Sequence, residues 1–291
     1  MSQQDVINLA IESYLQHMNN IGQRFQADRT LIPAHRQAPN VSCDTKTLNS
    51  MLHFNSDKFD FWKIYEAIKR FYPIGVKRDE SKMYFSYPGI KELEDIVVDN
   101  IHDDNHFIER WDNFTKDIEK EIGKEIIGTT YGQAPSFSSY VLLDTALVDD
   151  LTRTKELHFF VSLVGPFYTI VGQDNNAVKI DGNRSYRSTS YLVVSPEKEF
   201  ADTFKLLCDK IENRFKGFRF VPFEICKQTI EGLYVRYSDE NLNSVFHALF
   251  NNHVDLTIWR KTGNDYFKSE DWINEGYVET GGGWTIYPPT S

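Results

Sequence analysis

The densest group of side chains that could do chemistry lies at residues 99–106. Residues 102–106 read HDDNH, and Asp99 lies one helical turn earlier. Residues three and four apart are neighbours on a helix, so Asp99, His102 and His106 are predicted to share one face. Imidazole and carboxylate groups in this arrangement bind divalent metal ions. The group therefore offers a divalent metal site, and with it a metal-dependent hydrolase acting on a nucleotide or phosphate ester.

These residues belong to the segment Ile90–Ile127, which has the clearest periodicity in the chain. Its apolar residues recur at steps of three, four and seven, which places them on one stripe of a helix. Residues 100–105 include poor helix formers, so we predict two helices with an N-cap at Asp103 or Asp104. A solvated acidic face, or a helix break rich in capping residues, is the simpler interpretation of the 99–106 group. We favour it over the metal site.

The charge of this segment is one-sided. It holds twelve acidic and five basic residues, a net charge of −7, while the whole chain has a formal net charge of −10. A surface of one sign attracts a partner of the opposite sign and raises the rate of association. The outward acidic residues predicted to bind such a partner are Asp95, Asp99, Asp103, Glu109, Asp117 and Glu121.

The sequence carries none of the motifs of the common enzyme classes that we considered. It contains no GxSxG, GxxxxGK[ST], GxGxxG or HExxH pattern. We therefore predict a non-enzymatic, acidic protein-binding module that binds a basic protein and needs no cofactor. Bacterial immunity proteins, which neutralise basic nuclease toxins, work in this way, so an immunity-type inhibitor of a basic toxin or nuclease is one form of this function. The metal-dependent hydrolase is the alternative.

A second segment, Lys216–Phe223, resembles the RNA-stacking motif of the RRM family. It has the basic residue, the glycine and the aromatic residues of that motif, and departs from it at Arg219, where the motif has a small residue. The resemblance implies RNA binding through Phe218 and Phe220. However, the segment directly follows a predicted helix, where the family has another strand. We therefore predict a strand whose phenylalanines face the core, and the acidic balance of the chain argues against a nucleic-acid partner.

The sequence on either side of Gly128 has different patterns. Before it, the predicted elements are a helix at 6–18, a long polar connection at 23–58, a helix at 59–72, a strand at 83–87 and the segment described above. After it, they are strands at 137–143, 157–164, 167–171, 191–194 and 218–221, a hairpin turn at 181–182, and helices at 196–215 and 241–250. These patterns predict an α+β fold. A mainly helical N-terminal portion (1–128) packs against a mostly antiparallel or mixed β-sheet in the second portion (129–291), as two domains or one.

The sequence shows no targeting signal that we can identify and few cysteines, and both features indicate a cytoplasmic protein. The N-terminus has no basic region followed by an apolar one, so we predict no signal peptide. The uncharged stretch Leu157–Gln173 is shorter than the roughly 20 residues of a membrane helix, and Gly165-Pro166 interrupts it. We read it as two buried strands and predict no membrane contact. The three cysteines form no CxxC pair, which argues against a disulfide framework or a zinc site. The oligomeric state does not follow from these patterns.

Overall fold

The computed structural model describes residues 59–273, apart from residues 80, 182, 183, 239 and 241. The helix predicted at 6–18 and the polar connection predicted at 23–58 lie outside these residues. The hairpin turn predicted at 181–182 lies partly outside them, between two strands that the structure does describe.

Helices occupy most of the chain between residues 62 and 122. They are α1 (Trp62–Phe71), α2 (Ser81–Ser86), α3 (Pro88–Val97), α4 (Asp104–Phe107) and α5 (Asn113–Ile122), with π-helical turns at Val98–His102 and Ile108–Asp112. The prediction of a helix at 59–72 is confirmed. The prediction of a strand at 83–87 is wrong, because most of these residues lie in α2. Only Tyr84 among them is buried, and its hydroxyl donates to the carbonyl oxygen of Tyr234 at 2.6 Å.

The long amphipathic segment is divided at Asp103, as predicted. The backbone of Asp103 leaves the helical region, with φ −82° and ψ 106°, and its side chain accepts hydrogen bonds from the N–H groups of Asn105 and His106. This is an N-cap, which satisfies donors that the first helical turn leaves free. The segment ends earlier than predicted, at Ile122, because Gly123 takes a left-handed conformation with φ 63°. The residues that follow form strand β1 (Ile126–Gly128).

A mixed sheet follows the helices. Its long strands are β2 (Ser136–Val148), β3 (Leu151–Ser162), β4 (Phe167–Asp181) and β5 (Arg184–Val193), each antiparallel to the next. Two short strands are added in parallel: β6 (Arg219–Phe220) pairs with β4, and β7 (Lys261–Thr262) pairs with β5. The predicted α+β class, with helices mostly before the sheet, is confirmed. The four long strands extend well beyond the predicted segments.

Further helical segments pack around the sheet. They are a 3₁₀ turn (Lys198–Phe200), α6 (Ala201–Arg214), α7 (Phe223–Cys226), α8 (Val245–Leu249) and a 3₁₀ turn (Ser269–Trp272). The helices predicted at 196–215 and 241–250 are therefore confirmed with shorter bounds. None of the helices in the described part of the chain is long and apolar enough to span a membrane.

One half of the sheet, which we call the covered half, has a hydrophobic core on each face. It comprises residues 136–142, 157–162, 167–173 and 191–193. On one face, Trp111 and Phe204 pack in a cluster with Phe159. On the other face, Phe160 packs in a cluster with Ile68 and Phe246.

The segment that resembles the RNA-stacking motif lies in the first of these cores. Phe220 is 1% exposed, and its ring lies 5.3 Å from that of Phe267 and 6.2 Å from that of Phe204. Phe218 is half-buried and packs against the same cluster. Stacking on RNA bases requires exposed rings, so the prediction that these phenylalanines face the core is confirmed.

The other half of the sheet, the bare half, continues past both cores. It comprises residues 144–148, 151–154, 176–181 and 184–190. A cross-strand row of apolar side chains lies on it, because Val148 pairs with Leu151, Leu151 with Val178, and Val178 with Tyr186. All four side chains are exposed, by 64%, 40%, 40% and 63% respectively. The same strands are thus buried at one end and open at the other.

Candidate functional site

Two of the six predicted partner-binding residues are exposed and unpaired. Asp95 on α3 and Glu109 in the second π-helical turn form no ion pair with the described residues. Asp104, at the start of α4, is also exposed and unpaired there, although the prediction did not include it. These three carboxylates are available to an external cation.

The other four predicted residues are held by neighbours in the chain. Asp99 lies 3.0 Å from His106 Nδ1 and 3.3 Å from Arg110 Nη1. Asp103 caps α4, and the backbone N–H groups that it accepts lower its pKa. The remaining two form ion pairs: Asp117 with Lys120 at 3.8 Å, and Glu121 with Lys210. All four side chains nevertheless keep 45–79% of their surface exposed.

The π-helical turns change the face on which these carboxylates lie. A π-helical turn holds more residues than an α-helical turn, so the helix that follows is rotated relative to an uninterrupted α-helix. The two turns, at Val98–His102 and Ile108–Asp112, separate α3, α4 and α5. The regular spacing from which one continuous acidic face was predicted therefore does not hold along the whole segment.

The two histidines among the predicted metal ligands are already engaged by oxygen atoms of the chain. His102 Nε2 lies 2.6 Å from the carbonyl oxygen of Gly132. His106 Nδ1 lies 3.0 Å from the carbonyl oxygen of Asp99 and 3.0 Å from its carboxylate. Asp99, His102 and their neighbours line an open depression of about 420 Å³. Within the described ranges, however, no three His, Cys, Asp or Glu side chains are grouped to hold a metal ion.

A buried ionic cluster, absent from the predictions, lies at the border of the two halves of the sheet. Glu156 and His158 on β3 are 3% and 5% exposed, with Glu156 Oε2 3.0 Å from His158 Nε2. Arg187 on β5 reaches both oxygens of Glu156 at 2.7 Å, and the Thr154 hydroxyl donates to one of them at 2.8 Å. The sequence signal that could have revealed this cluster is the alternation of side chains along β3. It places Glu156 and His158 on the face of the sheet opposite Leu157.

The surroundings of Glu156 keep its carboxylate ionised, which favours a structural role for this residue. Burial by itself would raise the pKa of Glu156, but the hydrogen bond from His158 and the charge of Arg187 lower it to about 2. Burial lowers the pKa of the neighbouring His253 to about 4, with a further contribution from the charges of His158 and Arg187. A general acid or base works best with a pKa near the operating pH. Glu156 is therefore a fixed negative charge at neutral pH and is poorly suited to proton transfer.

A groove with basic and aromatic walls lies beside β7. It has a volume of about 360 Å³ and is lined by Tyr191, Lys198, Trp259, Arg260, Lys261 and Thr262. Trp259 is 79% exposed, more than any other large apolar side chain in the described part of the chain. No sequence motif marked this groove, because its walls come from segments about seventy residues apart that meet only when β7 pairs with β5.

Comparison of the chain with protein-family models, with curated proteins and with solved structures finds no match. The function is therefore inferred from the geometry of the described residues. The available geometry consists of the exposed carboxylates of the helical segment, the buried ionic cluster and the basic groove.

Proposed function

We propose that this protein is a non-enzymatic binding module that recognises a basic protein through its acidic helical segment, residues 90–127. The observation that carries the proposal is the set of exposed carboxylates with no basic partner among the described residues: Asp95, Asp104 and Glu109. A basic toxin or nuclease, held in the way that an immunity protein holds its target, is the partner we favour.

The charge balance of the segment supports this proposal. Its twelve acidic residues outnumber its five basic ones. Arg70, Arg236 and Lys210 from outside the segment pair with three of these acids, which reduces the negative excess but does not remove it. The ion pairs that do form are solvent-exposed, such as Asp117 with Lys120, whose side chains are 79% and 80% exposed. Exposed pairs are worth about 0–1 kcal/mol, so an incoming lysine or arginine can replace the internal partner at small cost.

A reducing compartment is part of the same proposal. Cys208 and Cys226 are free and buried. Burial raises the pKa of each thiol to about 12, so neither forms a reactive thiolate at neutral pH. Such thiols are compatible with the cytoplasm, where we propose that the protein meets its partner.

Charge reversal tests the proposal. In the triple variant Asp95→Lys, Asp104→Lys, Glu109→Lys, the three exposed carboxylates of the segment that form no ion pair become positive. The matched control is Asp144→Lys, Asp150→Lys, Asp202→Lys, which changes the net charge equally at exposed acids elsewhere. Wild type and both variants are immobilised, exposed to extract of the native cells, and the bound proteins are identified.

The expected result is a captured protein with a basic isoelectric point that the control variant retains and the triple variant loses. Its association rate at low salt should fall by about tenfold in the triple variant, and the difference should shrink at high salt. Capture of the same protein at the same rate by all three forms contradicts the proposal, as does capture of acidic proteins alone.

A further inference from the structure

We propose that the groove beside β7 is a nucleotide-binding site, in which Trp259 stacks on the base while Lys198 and Arg260 hold the phosphate. This site involves no residue of the acidic segment, so the inference is independent of the protein-binding role. The ligand chemistry is an aromatic base joined to a phosphate, supplied either as a free nucleotide or as a unit of single-stranded nucleic acid.

The stacking surface is the indole ring of Trp259. The guanidinium carbon of Arg260 lies 4.8 Å from the centroid of the Trp259 ring, so a cation already occupies one side of the indole. The side chain is 79% exposed, which leaves area for a flat ring to pack against it. Stacking of a base on an aromatic side chain is tolerant of base identity and is strengthened by an adjacent arginine.

Two cations at this groove, Lys198 and Arg260, stay outside the ion pairs of the described residues. Two nearby acids each pair with another basic residue: Glu199 with Lys155 at 2.5 Å, and Asp265 with Lys261. Glu197 and Glu199 flank Lys198 in the sequence, and the charge of Lys198 contributes to the lowered pKa of Glu199. A third acid, Asp174, is likewise taken by Arg153, whose Nε lies 2.8 Å from its carboxylate.

Lys198 and Arg260 are exposed, and neither forms an ion pair with any carboxylate in the described ranges. Both line the groove with Trp259. Two exposed cations that form no ion pair, beside an open indole, are complementary to a phosphate attached to a ring.

The backbone holds these groups in place. The N–H of Leu192 donates to the carbonyl oxygen of Arg260 at 3.0 Å, and the N–H of Val194 donates to that of Thr262 at 3.0 Å. These bonds fix one wall of the groove to the sheet. Lys198, which also lines the groove, has φ 48°, a left-handed conformation that few non-glycine residues adopt.

The exposed indole of Trp259 favours a nucleotide over an acidic peptide. A volume of about 360 Å³ lies in the range of small-molecule sites. A peptide rich in glutamate or aspartate would satisfy the two cations but would offer no flat ring to the indole. The nucleotide uses both features of the groove.

Binding of AMP to the full chain tests the inference, measured by calorimetry and by quenching of tryptophan fluorescence. Adenosine, inorganic phosphate and a poly-glutamate peptide are the comparison ligands. The variants are Trp259→Ala and the double variant Lys198→Gln, Arg260→Gln. The matched controls are Trp62→Ala, another exposed tryptophan, and Lys63→Gln, Lys205→Gln, two exposed lysines outside the groove. Thermal unfolding of every variant checks that the fold is retained.

We expect AMP to bind the wild type more tightly than adenosine or phosphate does, and to lose about tenfold or more in affinity in each groove variant but not in the controls. An eight-nucleotide single-stranded DNA that binds more tightly than AMP identifies nucleic acid as the source, and weaker binding identifies the free nucleotide. Absence of AMP binding at millimolar concentration overturns the inference. So does equal affinity in the groove variants, or tighter binding of poly-glutamate than of AMP.

Discussion

The covered half and the bare half of the sheet are built from the same four strands, yet their side chains have opposite surroundings. On β3, residues 156–162 are all buried, while residues 151–155 are exposed or half-buried. The hydrogen-bonded register of β3 with β4 continues from Leu151 to Val161 without interruption. Pairing of β3 with β4 is therefore the same in both halves, whereas the β2–β3 register shifts between Leu142 and Asp144 and the β4–β5 register shifts between Asp174 and Asn175. The halves also differ in whether helices and loops pack on the faces.

The border between the halves is marked by one buried carboxylate on each face of the sheet. Glu156 lies on one face, and Asp174 lies on the other, since Asp174 pairs in register with Lys155. Asp174 is fully buried and forms two hydrogen bonds with Arg153. Arg153 and Arg187 both extend from the bare half and are half-exposed, at 50% and 55%. The bare half thus supplies the cations that neutralise the edge of the covered half.

The largest expected effect is in the covered half. Phe160 is fully buried, with its ring 5.2 Å from that of Phe246 and 5.9 Å from that of Phe250. Phe160→Ala should lower the free energy of unfolding by about 3–5 kcal/mol, because it removes buried contacts and leaves a cavity. The control Val148→Ala, in the bare half, should lower it by less than about 0.5 kcal/mol. Urea denaturation measures both, and similar losses at the two positions would refute the distinction between the halves.

At the border, we expect Glu156→Gln to lower the free energy of unfolding by roughly 3 kcal/mol. The substitution removes the negative charge that Arg187 and His158 contact, and breaking a buried ion pair from one side is strongly destabilising. The exposed control Asp150→Asn should have little effect. A loss below about 1 kcal/mol for Glu156→Gln would mean that solvent screens the charges of the cluster, and it would contradict the role of Glu156 as a buried counter-ion.

The buried titratable groups at this border should determine how the free energy of unfolding changes in acid. The pKa of Glu156 is about 2, below its ordinary 4.5, so its contribution is complete above pH 4.5 and is lost as the pH falls towards 2. The pKa of His253 is about 4, below its ordinary 6.5, so stability is also lost as the pH falls from 6.5 to 4. Unfolding free energies at closely spaced pH values should therefore fall in two ranges. Glu156→Gln should flatten the lower range and His253→Gln the upper one, and unchanged profiles would contradict both assignments.

The smallest effect is expected at the apolar row of the bare half. Val178→Lys should change the free energy of unfolding by less than about 0.5 kcal/mol, because the side chain is already 40% exposed. Sedimentation measures the oligomeric state of the wild type and the variant alongside the unfolding measurement. A loss above about 1 kcal/mol, together with dissociation of an oligomer, would show that another chain covers the row in solution.

Much of the fold could be predicted from the sequence because apolar periodicity reports burial. It located α1, the cap at Asp103 and the covered parts of the long strands. It failed where burial does not alternate regularly. The bare half has mixed side chains on both faces, so the strand lengths were underestimated, and α2 buries only Tyr84 among the residues assigned to a strand.

The candidate sites were harder to predict because they depend on contacts between distant residues. The partner of Glu121 is Lys210, and Glu156 meets Arg187 across two strand pairings. The acidic segment was recognised from its composition, but its outward residues were assigned from an uninterrupted α-helical repeat that the π-helical turns break. The groove at Trp259 depends on a parallel pairing with no local signature.

Arg187 gives the β4–β5 hairpin a minimum length. This arginine lies on the returning strand, beyond the last residues of β4 and β5 that the cores cover, and its side chain reaches back to Glu156. Deleting strand pairs from the hairpin between this position and the border would leave the carboxylate without its counter-ion. Substitutions and insertions should therefore be tolerated at the distal tip, while the number of strand residues between Arg187 and the border stays constrained by the need to neutralise Glu156.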